Sequence, residues 1–265
     1  MMLFLRIIRR TYRIIALTFW FTVMFMVALF CCFGDYRAVK RITKITHFWA
    51  KGIARIISLK IIVNGEIPKD FTNKLIIANH SSYLDIIVHA ALFPIRFTPK
   101  AEIRRWPILG LYIESSRPIW VNRTSRQKAK ELIKEFAKTI QHGIPLIVYP
   151  EGTTSNNRSS LLKFKTTSFE VAKQCKASLL PIVCLFRDTV DNKPLAWYGD
   201  MTLLPHLWRI LGYKKMTVEV KILNDITIEK EKNRKQIAEE AYQILNINFL
   251  EVLNEYQEQK QEKGK

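Results

Sequence analysis

Residues 14–33 form a run without a single charged side chain, and this run constrains the fold more than any other feature of the chain. As an α-helix it would be about 30 Å long, which matches the hydrocarbon thickness of a lipid bilayer. A cleaved signal peptide is the alternative, but the run is longer than a usual signal core and ends in a poor cleavage site. The sequence therefore predicts a membrane-associated helix close to the N-terminus.

Basic residues flank this run on both sides. The first 60 residues contain 11 Lys and Arg but only one acidic residue, and the whole chain has 42 Lys and Arg against 23 Asp and Glu. Because positively charged flanks stay on the cytoplasmic side, both ends of the helix are drawn to one side. A helix that stays in one leaflet satisfies both flanks, and a helix that spans the bilayer is the alternative. The charge excess beside the most apolar segment favours anionic lipid over nucleic acid as the partner.

The next segment has the pattern of a basic amphipathic helix, with apolar side chains on one face and basic side chains on the other. The apolar face contains Ile42, Ile45, Trp49, Ile53 and Ile56, and the basic face contains Lys40, Lys44, His47, Lys51 and Arg55. This pattern is typical of a helix at a membrane interface, and a surface helix packed on the protein core is the alternative. We therefore expect residues 1–60 to form N-terminal membrane-anchoring helices.

Beyond residue 60, short apolar runs alternate with segments of helical periodicity. Strands are expected at residues 60–64, 74–79, 95–98, 118–122, 144–149, 179–186 and 217–223. Helices are expected from Ser81 or Ser82 to about residue 93, from a capping box at Thr124 to about residue 143, and at residues 165–175 and 229–259. This alternation predicts an α/β fold with a central, mostly parallel sheet flanked by helices.

Two polar motifs follow predicted strands. In the first, His80 stands at the end of a strand and Asp85 falls in the first turn of the next helix. A His ring oriented by a carboxylate can act as a general base near neutral pH. The alternative is a His that only caps the helix.

The second motif is Pro150-Glu151-Gly152-Thr153-Thr154, which also follows an apolar strand. Glycine allows backbone N–H groups to approach an oxyanion or a phosphate, and Glu151 is a candidate for orienting an acceptor. An ordinary turn is the alternative. Because ligands of open α/β sheets collect at the carboxyl ends of strands, we expect both motifs to contribute to one site.

The order and spacing of four motifs resemble those of the 1-acyl-sn-glycerol-3-phosphate acyltransferase family. The motifs are Asn79-His80-x4-Asp85, Trp106-Pro107-Ile108-Leu109-Gly110 with Val121-Asn122-Arg123, Pro150-Glu151-Gly152-Thr153, and Leu180-Pro181-Ile182-Val183. The resemblance implies that residues 61–265 form a catalytic domain on the cytoplasmic side of the inner membrane. It implies transfer of a fatty acyl group to the free sn-2 hydroxyl of lysophosphatidic acid, which gives phosphatidic acid in phospholipid biosynthesis.

The resemblance also assigns roles to residues. It implies that His80 is the base and Asp85 its partner. It implies that the phosphorylated acceptor is bound by Arg123 and by the turn of Glu151, Gly152 and Thr153. The acyl donor is then acyl-CoA or acyl-carrier protein, a cosubstrate, and no metal or prosthetic group is expected.

One position departs from the family pattern. Many members have Arg after Glu-Gly-Thr, whereas this chain has Thr154, which we keep among the candidate substrate-binding residues. Threonine cannot replace the charge and the bidentate geometry of Arg. Either Arg158, Lys163 or Lys165 supplies the missing charge, or the acceptor lacks a phosphate monoester. Relatives that act on lysophosphatidylcholine or lyso-ornithine lipid are similar at this turn, so another lysolipid is the alternative acceptor.

Two other functions are less well supported. A membrane-bound lipid esterase with a Ser–His–Asp triad would be expected to carry a Gly-x-Ser-x-Gly elbow, and the chain has none. A nucleic-acid-binding protein would be expected to show a helix-turn-helix, zinc or stacking-aromatic signature, and none is found. The cysteines, Cys31, Cys32, Cys175 and Cys184, have neither zinc spacing nor an obvious disulfide framework.

Overall fold

The structure is a computed structural model that describes residues 2–31, 33–121, 126–156, 158–187 and 194–262. Its first part consists of helices α1 (Met2–Cys31) and α2 (Tyr36–Ile56). The remaining elements, in chain order, are β1 (Leu59–Asn64), β2 (Lys74–Ala78), α3 (Leu84–Leu92), a 3-10 helix (Ala101–Arg105), α4 (Leu109–Ser115), α5 (Arg126–Gln141), β3 (Leu146–Val148), α6 (Thr167–Cys175), β4 (Ser178–Phe186), α7 (Leu203–Gly212), β5 (Met216–Ile222) and α8 (Arg234–Glu262).

The strands form one sheet in the order β1-β5-β4-β2-β3. Strand β2 pairs in parallel with β3 and β4, and β1 pairs in parallel with β5, whereas β4 and β5 are antiparallel. The three strands β2, β3 and β4 are buried along nearly their whole length, which explains their continuous apolar sequences. The predicted α/β fold with a mostly parallel sheet is thus confirmed.

Two apolar layers cover the faces of the sheet. One layer includes Ile76 of β2 and Val88 of α3, together with residues of α2 and α7. The other includes Leu75 of β2 and Phe249 of α8, together with residues of α5 and α6. Neighbouring residues of a strand point to opposite faces, so β2 is packed from both sides. The residues that follow β2 therefore start from a rigid support.

The predicted strands at residues 95–98 and 118–122 are wrong. The described part of these segments makes only isolated bridges, from Arg96 to Leu146 and from Lys100 to Val121. The buried guanidinium of Arg96 instead donates to the carbonyl of Arg117 and to side chains of α5. Three short helices, the 3-10 helix, α4 and α7, were not predicted. The predicted helix at residues 124–143 is present as α5, but its cap Thr124 lies outside the described residues.

Helix α1 contains residues 14–31 of the predicted apolar run, which was expected at residues 14–33. Within the described residues one helix, spanning Leu3–Cys31, is long and apolar enough to cross a membrane, and only 11% of its most apolar window is buried in the protein. Many of its large apolar side chains are exposed, including Phe19 and Phe30. An exposed apolar surface of this size requires an apolar partner such as lipid. The structure thus agrees with a membrane-associated N-terminal helix.

Both ends of α1 are nevertheless fixed to the globular part of the chain. In the N-terminal half of the helix, Arg9 donates to the carbonyl of Gly212 (2.7 Å), and Arg13, which is 2% exposed, donates to three main-chain carbonyls. These belong to Ile56 (3.0 Å), Leu211 (3.0 Å) and Tyr213 (2.6 Å). Beyond the C-terminal end, Arg117 donates to the carbonyl of Gly34 (2.7 Å), and the hydroxyl of Tyr36 donates to Glu135 (3.0 Å). Helix α1 therefore lies along the domain instead of projecting from it.

The apolar face of α2 packs on protein. Ile42 and Ile53 are buried, and the other three predicted apolar residues are partly buried between α1 and α3. This arrangement corresponds to the alternative interpretation, a helix packed on the core. The basic face remains at the surface, with Lys40, Lys44, Lys51 and Arg55 exposed. The division of the chain at residue 60 stays a prediction, and α2 contributes Ile53 to the same apolar layer as β2 and α3.

Candidate active site

His80 and Asp85 are brought together by the turn between β2 and α3. Nδ1 of His80 donates to Oδ2 of Asp85 over 2.7 Å. The same oxygen accepts from the main-chain N–H groups of Ser81 (2.7 Å) and Ser82 (2.9 Å). Asp85 is fully buried, whereas 19% of the His80 side chain is exposed. The imidazole is thus anchored on its Nδ1 side and reachable from outside.

Ser82 caps α3 as predicted. Its hydroxyl accepts from the N–H of Leu84, the first residue of α3, over 3.3 Å. The carboxylate of Asp85 in addition accepts the N–H groups of Ser81 and Ser82, which precede the helix. A carboxylate near a helix N-terminus satisfies N–H groups that have no partner within the helix. Asp85 therefore shapes the turn and orients His80 at the same time.

Asn79 fixes the other side of this turn. Its buried amide accepts from the N–H of Cys184 (2.7 Å) and donates to the carbonyl of Cys184 (2.9 Å), which ties β2 to β4. The thiol of Cys184 lies 3.7 Å from Oδ1 of Asp85 and is a weak donor to it. Burial, reinforced by the charge of Asp85, raises the pKa of this thiol well above its ordinary value. The second oxygen of Asp85 therefore faces a neutral partner.

The ring of Tyr149 lies flat against the imidazole of His80. The two ring centroids are 4.1 Å apart and the ring planes differ by 16°. The Tyr149 hydroxyl lies 3.1 Å from Nδ1 of His89, which donates to the carbonyl of Asp85 over 2.8 Å. Burial lowers the pKa of His89 to about 4, so this second imidazole is neutral near pH 7. Sequence analysis assigned no role to Tyr149, although it directly precedes the second motif.

The second motif lies against the first. The main-chain N–H of His80 donates to Oε1 of Glu151 (2.7 Å), and its carbonyl accepts from the N–H of Ser155 (3.0 Å). Oε2 of Glu151 accepts from the N–H of Leu162 (3.0 Å) and from the Ser155 hydroxyl (3.3 Å). Glu151 is only 2% exposed, and burial raises its pKa. Its carboxylate connects the turn after β2 with residues 155–162 by hydrogen bonds. From the sequence we had expected it to contact the acceptor.

Gly152 adopts a left-handed backbone conformation, with φ of +73°. Its N–H donates to the carbonyl of Tyr149 (3.0 Å) and thereby closes the turn. We had expected this N–H to point toward an oxyanion or a phosphate. Thr153 is exposed and Thr154 is partly buried after it. Arg123 lies outside the described residues. Of the predicted site residues, the structure brings together His80 and Asp85 with the turn from Glu151 to Thr154.

A third network lies behind the turn after His80. The hydroxyl of Tyr83 donates to Nδ1 of His206 (3.0 Å), whose Nε2 donates to the carbonyl of Ala196 (3.1 Å). The main-chain N–H of Trp197 donates to the carbonyl of Ser81 (2.8 Å). Burial lowers the pKa of His206 to about 4. No local sequence pattern marks His206, because its partners come from distant segments.

An apolar cavity of about 100 Å³, open to the outside, lies between α1, α2 and α4. Its walls include Met24, Ala28, Ile45, Trp49, Ile86 and Phe97. Ile86, which contributes to its wall, directly follows Asp85 in α3. Within the described ranges, no group of three or more His, Cys, Asp or Glu residues is placed to hold a metal ion.

This arrangement is suited to proton transfer. A neutral imidazole that donates through Nδ1 to a buried carboxylate keeps Nε2 as a proton acceptor. The carboxylate also stabilises the imidazolium that forms when the proton arrives. An open apolar cavity in the same domain is suited to a ligand with a large hydrophobic part.

Comparison with known proteins agrees with this description. The family model described as Acyltransferase matches residues 60–185. Over 171 residues the chain is 31% identical to the 1-acyl-sn-glycerol-3-phosphate acyltransferase of Neisseria gonorrhoeae, which covers 64% of this chain and 67% of that protein. Over 205 residues it is 29% identical to the lyso-ornithine lipid O-acyltransferase of Pseudomonas aeruginosa, covering 77% and 78%.

A solved structure supports the fold. The lysophosphatidic acid acyltransferase PlsC of Thermotoga maritima superimposes with a TM-score of 0.67 at 21% identity, covering 95% of this chain and 98% of that chain. The resemblance inferred from the four motifs is therefore confirmed by independent sequence and fold comparisons. The chain belongs to the 1-acyl-sn-glycerol-3-phosphate acyltransferase family of O-acyltransferases.

Proposed function

We propose that this protein transfers a fatty acyl group from acyl-CoA or acyl-carrier protein to the sn-2 hydroxyl of lysophosphatidic acid, giving phosphatidic acid. The observation that carries the proposal is the imidazole of His80, which is held at Nδ1 by the buried Asp85 and is still reachable from outside. Relatives named for lysophosphatidic acid and for lyso-ornithine lipid support a lysolipid acceptor. An acceptor of the second kind is the alternative.

In the proposed mechanism, His80 acts as a general base without a covalent enzyme intermediate. Nε2 takes the proton of the acceptor hydroxyl while its oxygen attacks the thioester carbonyl. The carboxylate of Asp85 keeps the proton of the neutral ring on Nδ1 and stabilises the imidazolium. When the tetrahedral intermediate collapses, the carbon–sulfur bond breaks and the imidazolium returns the proton to the departing thiol.

The apolar cavity between α1, α2 and α4 supports a lipid substrate. Its walls are almost entirely apolar, and they include Ile86, the residue after Asp85 in α3. Burial of each methylene group of an acyl chain contributes about 0.8 kcal/mol, so a fatty chain gains much from such a cavity. We propose that the cavity receives a fatty acyl chain of one of the two substrates.

We further propose that the protein lies on the cytoplasmic face of the inner membrane, with α1 in one leaflet. The attachment of both ends of α1 to one domain supports this topology. The exposed lysines of α2 are suited to the head groups of anionic lipids, which attract cations at the membrane surface.

The function is tested by acyl transfer with purified protein in lipid vesicles. Acyl-CoA or acylated acyl-carrier protein, each with a radiolabelled acyl group, is offered with a panel of lysolipids. The products are separated by thin-layer chromatography. We expect transfer to lysophosphatidic acid, and we expect His80→Ala to reduce its rate at least 100-fold. His142 is exposed and serves as the matched control, since His142→Ala should keep the wild-type rate.

Two results would contradict the proposal. A wild-type rate in His80→Ala would show that another group is the base. Release of free fatty acid without any acceptor, in place of transfer, would indicate an esterase.

A further inference from the structure

The turn between the 3-10 helix and α4 contains the motif Trp106-Pro107-Ile108-Leu109-Gly110, to which the proposed function assigns no role. Ile108 forms the centre of this turn. Its φ of +64° and ψ of −56° are close to the values of about +75° and −65° of the classic γ-turn, which is rare and strained. The N–H of Leu109 donates to the carbonyl of Pro107 over 2.6 Å, which is the hydrogen bond of such a turn. A β-branched residue is unusual at positive φ, so the backbone is strained at Ile108.

The strained turn displays large apolar side chains at the surface, and we call residues 106–111 the apolar tip. Ile108 is 87% exposed, the highest value for a large apolar side chain among the described residues. Leu111 is 64% exposed and Trp106 is 46% exposed. Single apolar residues are common on protein surfaces, whereas a cluster of large ones marks an interaction site. Backbone strain at the centre of the cluster also indicates a functional reason for the turn.

Packing beneath the apolar tip fixes its backbone. A methyl group added to Gly110 would collide with the carbonyl oxygen of Arg104, so glycine allows α4 to lie directly on the 3-10 helix. The guanidinium of Arg104 forms an ion pair with Glu114 of α4 over 2.9 Å, which joins the same two helices. The N–H of Gly110 also donates to the carbonyl of Trp106 over 2.9 Å. The helices on both sides of the tip therefore hold its apolar side chains at the surface.

The apolar tip is also attached to the helix whose exposed surface requires lipid. Tyr112 follows Ile108 by one helical turn, and its N–H donates to the carbonyl of Ile108 over 2.9 Å. The ring of Tyr112 stacks on Phe25 of α1, with ring centroids 5.6 Å apart and ring planes that differ by 23°. Its centroid lies 4.9 Å from that of Phe21, also in α1. The tip is thus one helical turn away from the contact between α4 and α1.

We propose that the apolar tip inserts into the interface of the same leaflet as α1 and is a second membrane contact of the protein. Ile108 and Leu111 gain free energy by leaving water, and tryptophan is suited to the boundary between acyl chains and head groups. Arg104 and Arg105, which directly precede the tip, are exposed, and long basic side chains reach lipid head groups from such positions. This contact goes beyond the proposed reaction and depends only on the proposed membrane topology.

Fluorescence quenching in lipid vesicles tests the contact. In the full chain with all four native cysteines replaced by Ser, Ile108→Cys carries a single environment-sensitive fluorophore. The vesicles contain phosphatidylcholine, phosphatidylglycerol and a phosphatidylcholine with a nitroxide quencher near the top of one acyl chain. We expect the quencher to remove at least half of the fluorescence at residue 108. Ile247→Cys is the matched control and should lose almost none, because Ile247 is 62% exposed on α8, which covers the opposite face of the sheet from α2 and α3.

A second set of variants tests whether Ile108 drives the insertion. The fluorophore is moved to Leu111→Cys, and Ile108→Asp is compared with Ile108→Leu in this background. A carboxylate is costly to bury in lipid, so Ile108→Asp should lower the quenching at residue 111 about threefold or more. Ile108→Leu keeps the apolar surface and should retain the quenching. Equal quenching in the two variants would contradict the role of Ile108.

A fluorophore at Phe19→Cys, in the apolar run of α1, separates this inference from the proposed topology. Quenching at residue 19 without quenching at residue 108 would overturn the tip contact and leave α1 in the membrane. Absence of quenching at both residues would contradict the tip contact and the topology together. A blue-shifted emission at residue 108 without quenching would show that protein covers the tip in place of lipid, which would also overturn the proposal.

Discussion

At the scale of single residues, His80 is held on two sides. Asp85 fixes one edge of the imidazole through Nδ1, and Tyr149 covers one face. Contacts on an edge and on a face together leave the ring little freedom to rotate. Proton transfer depends on such positioning, because a displacement of about 1 Å can cost two orders of magnitude in rate.

The stacked ring of Tyr149 leads to a prediction about catalysis. Tyr149→Phe keeps the aromatic face, so its rate of acyl transfer should stay within a few-fold of wild type. Tyr149→Leu removes the aromatic face and should lower kcat about tenfold with little change in KM, since an aromatic face also stabilises the imidazolium by about 1 kcal/mol. Steady-state kinetics with lysophosphatidic acid measure both. If Tyr149→Phe and Tyr149→Leu lower kcat equally, the hydroxyl of Tyr149 contributes to catalysis and its stacked face does not.

The sequence identified His80 and Asp85 because their spacing allows contact across one strand-to-helix turn, which is a local property. The roles of Tyr149 and Glu151 are not local. They depend on the parallel pairing of β2 and β3, which places residues 149–151 against residue 80. A single sequence does not reveal that pairing, so Glu151 was expected to contact the acceptor and was found bracing two loops.

At the scale of elements, α1 is attached through its arginines. The guanidinium of Arg13 supplies donors to carbonyls at the ends of α2 and α7. These carbonyls have no partner within their own helices, as is usual for the last turn. Arg13 therefore acts as a shared cap that joins three helices.

Loss of this cap should destabilise the protein. Arg13→Met keeps much of the side-chain volume but leaves several buried carbonyls without donors, each at a cost of about 1–3 kcal/mol. We expect the free energy of unfolding to fall by about 3 kcal/mol or more. Arg10→Met is the control, because Arg10 makes an exposed hydrogen bond to the Trp208 carbonyl and should cost under about 1 kcal/mol. Thermal unfolding in detergent compares the two, and equal losses would contradict the special role of Arg13.

The elements also show which sequence signals are reliable. The runs that became β2, β3 and β4 were recognised because strands buried on both faces are continuously apolar. Residues 95–98 and 118–121 have similar composition and yet form no ladder. Composition reports that a segment is buried, whereas a strand also needs a neighbour with free hydrogen-bonding groups. Here Arg96 packs against α5 and leaves only an isolated bridge to β3.

At the scale of the whole molecule, two buried histidines link stability to pH. Burial lowers the pKa of His89 and His206 from about 6.5 to about 4. His89 faces Asp85 on its own helix and His80 and Tyr149 from other segments. Between pH 6.5 and 4 the unfolded chain binds protons that the folded chain does not. The free energy of unfolding should therefore decrease on acidification, by about 1.4 kcal/mol per pH unit for each histidine.

Unfolding by urea at pH 7.5, 6 and 5 measures this dependence. The raised pKa of Glu151 opposes this loss of stability on acidification. The folded protein binds the proton of this carboxyl group more tightly than the unfolded chain does. His89→Gln removes one titrating group and should reduce the slope between pH 6 and 5 relative to wild type. An identical slope in both proteins would contradict the assignment to His89.

The orientation of α1 is the property of the whole molecule that decides how the enzyme meets its substrate. Both ends of α1 contact one domain, through Arg13 at the N-terminal side and through the Arg117–Gly34 and Tyr36–Glu135 contacts after its C-terminal end. A helix that crossed the bilayer would have its ends about 30 Å apart on opposite faces. A domain that lies on one side of the membrane could not contact both of these ends. We therefore expect α1 to remain in one leaflet.

Cysteine labelling in sealed membrane vesicles tests this topology. In a variant with all four native cysteines replaced by Ser, Phe4→Cys and Phe33→Cys place single thiols at exposed positions near the two ends of α1. Both thiols should react with a membrane-impermeant maleimide in vesicles that display the cytoplasmic face, and neither should react in vesicles of the opposite orientation. Phe19→Cys, an exposed position within the apolar run, is the control and should be protected by lipid in both. Labelling of residues 4 and 33 from opposite sides would show that α1 spans the bilayer, and the catalytic site would then meet its lipid substrate in a different geometry from the one proposed.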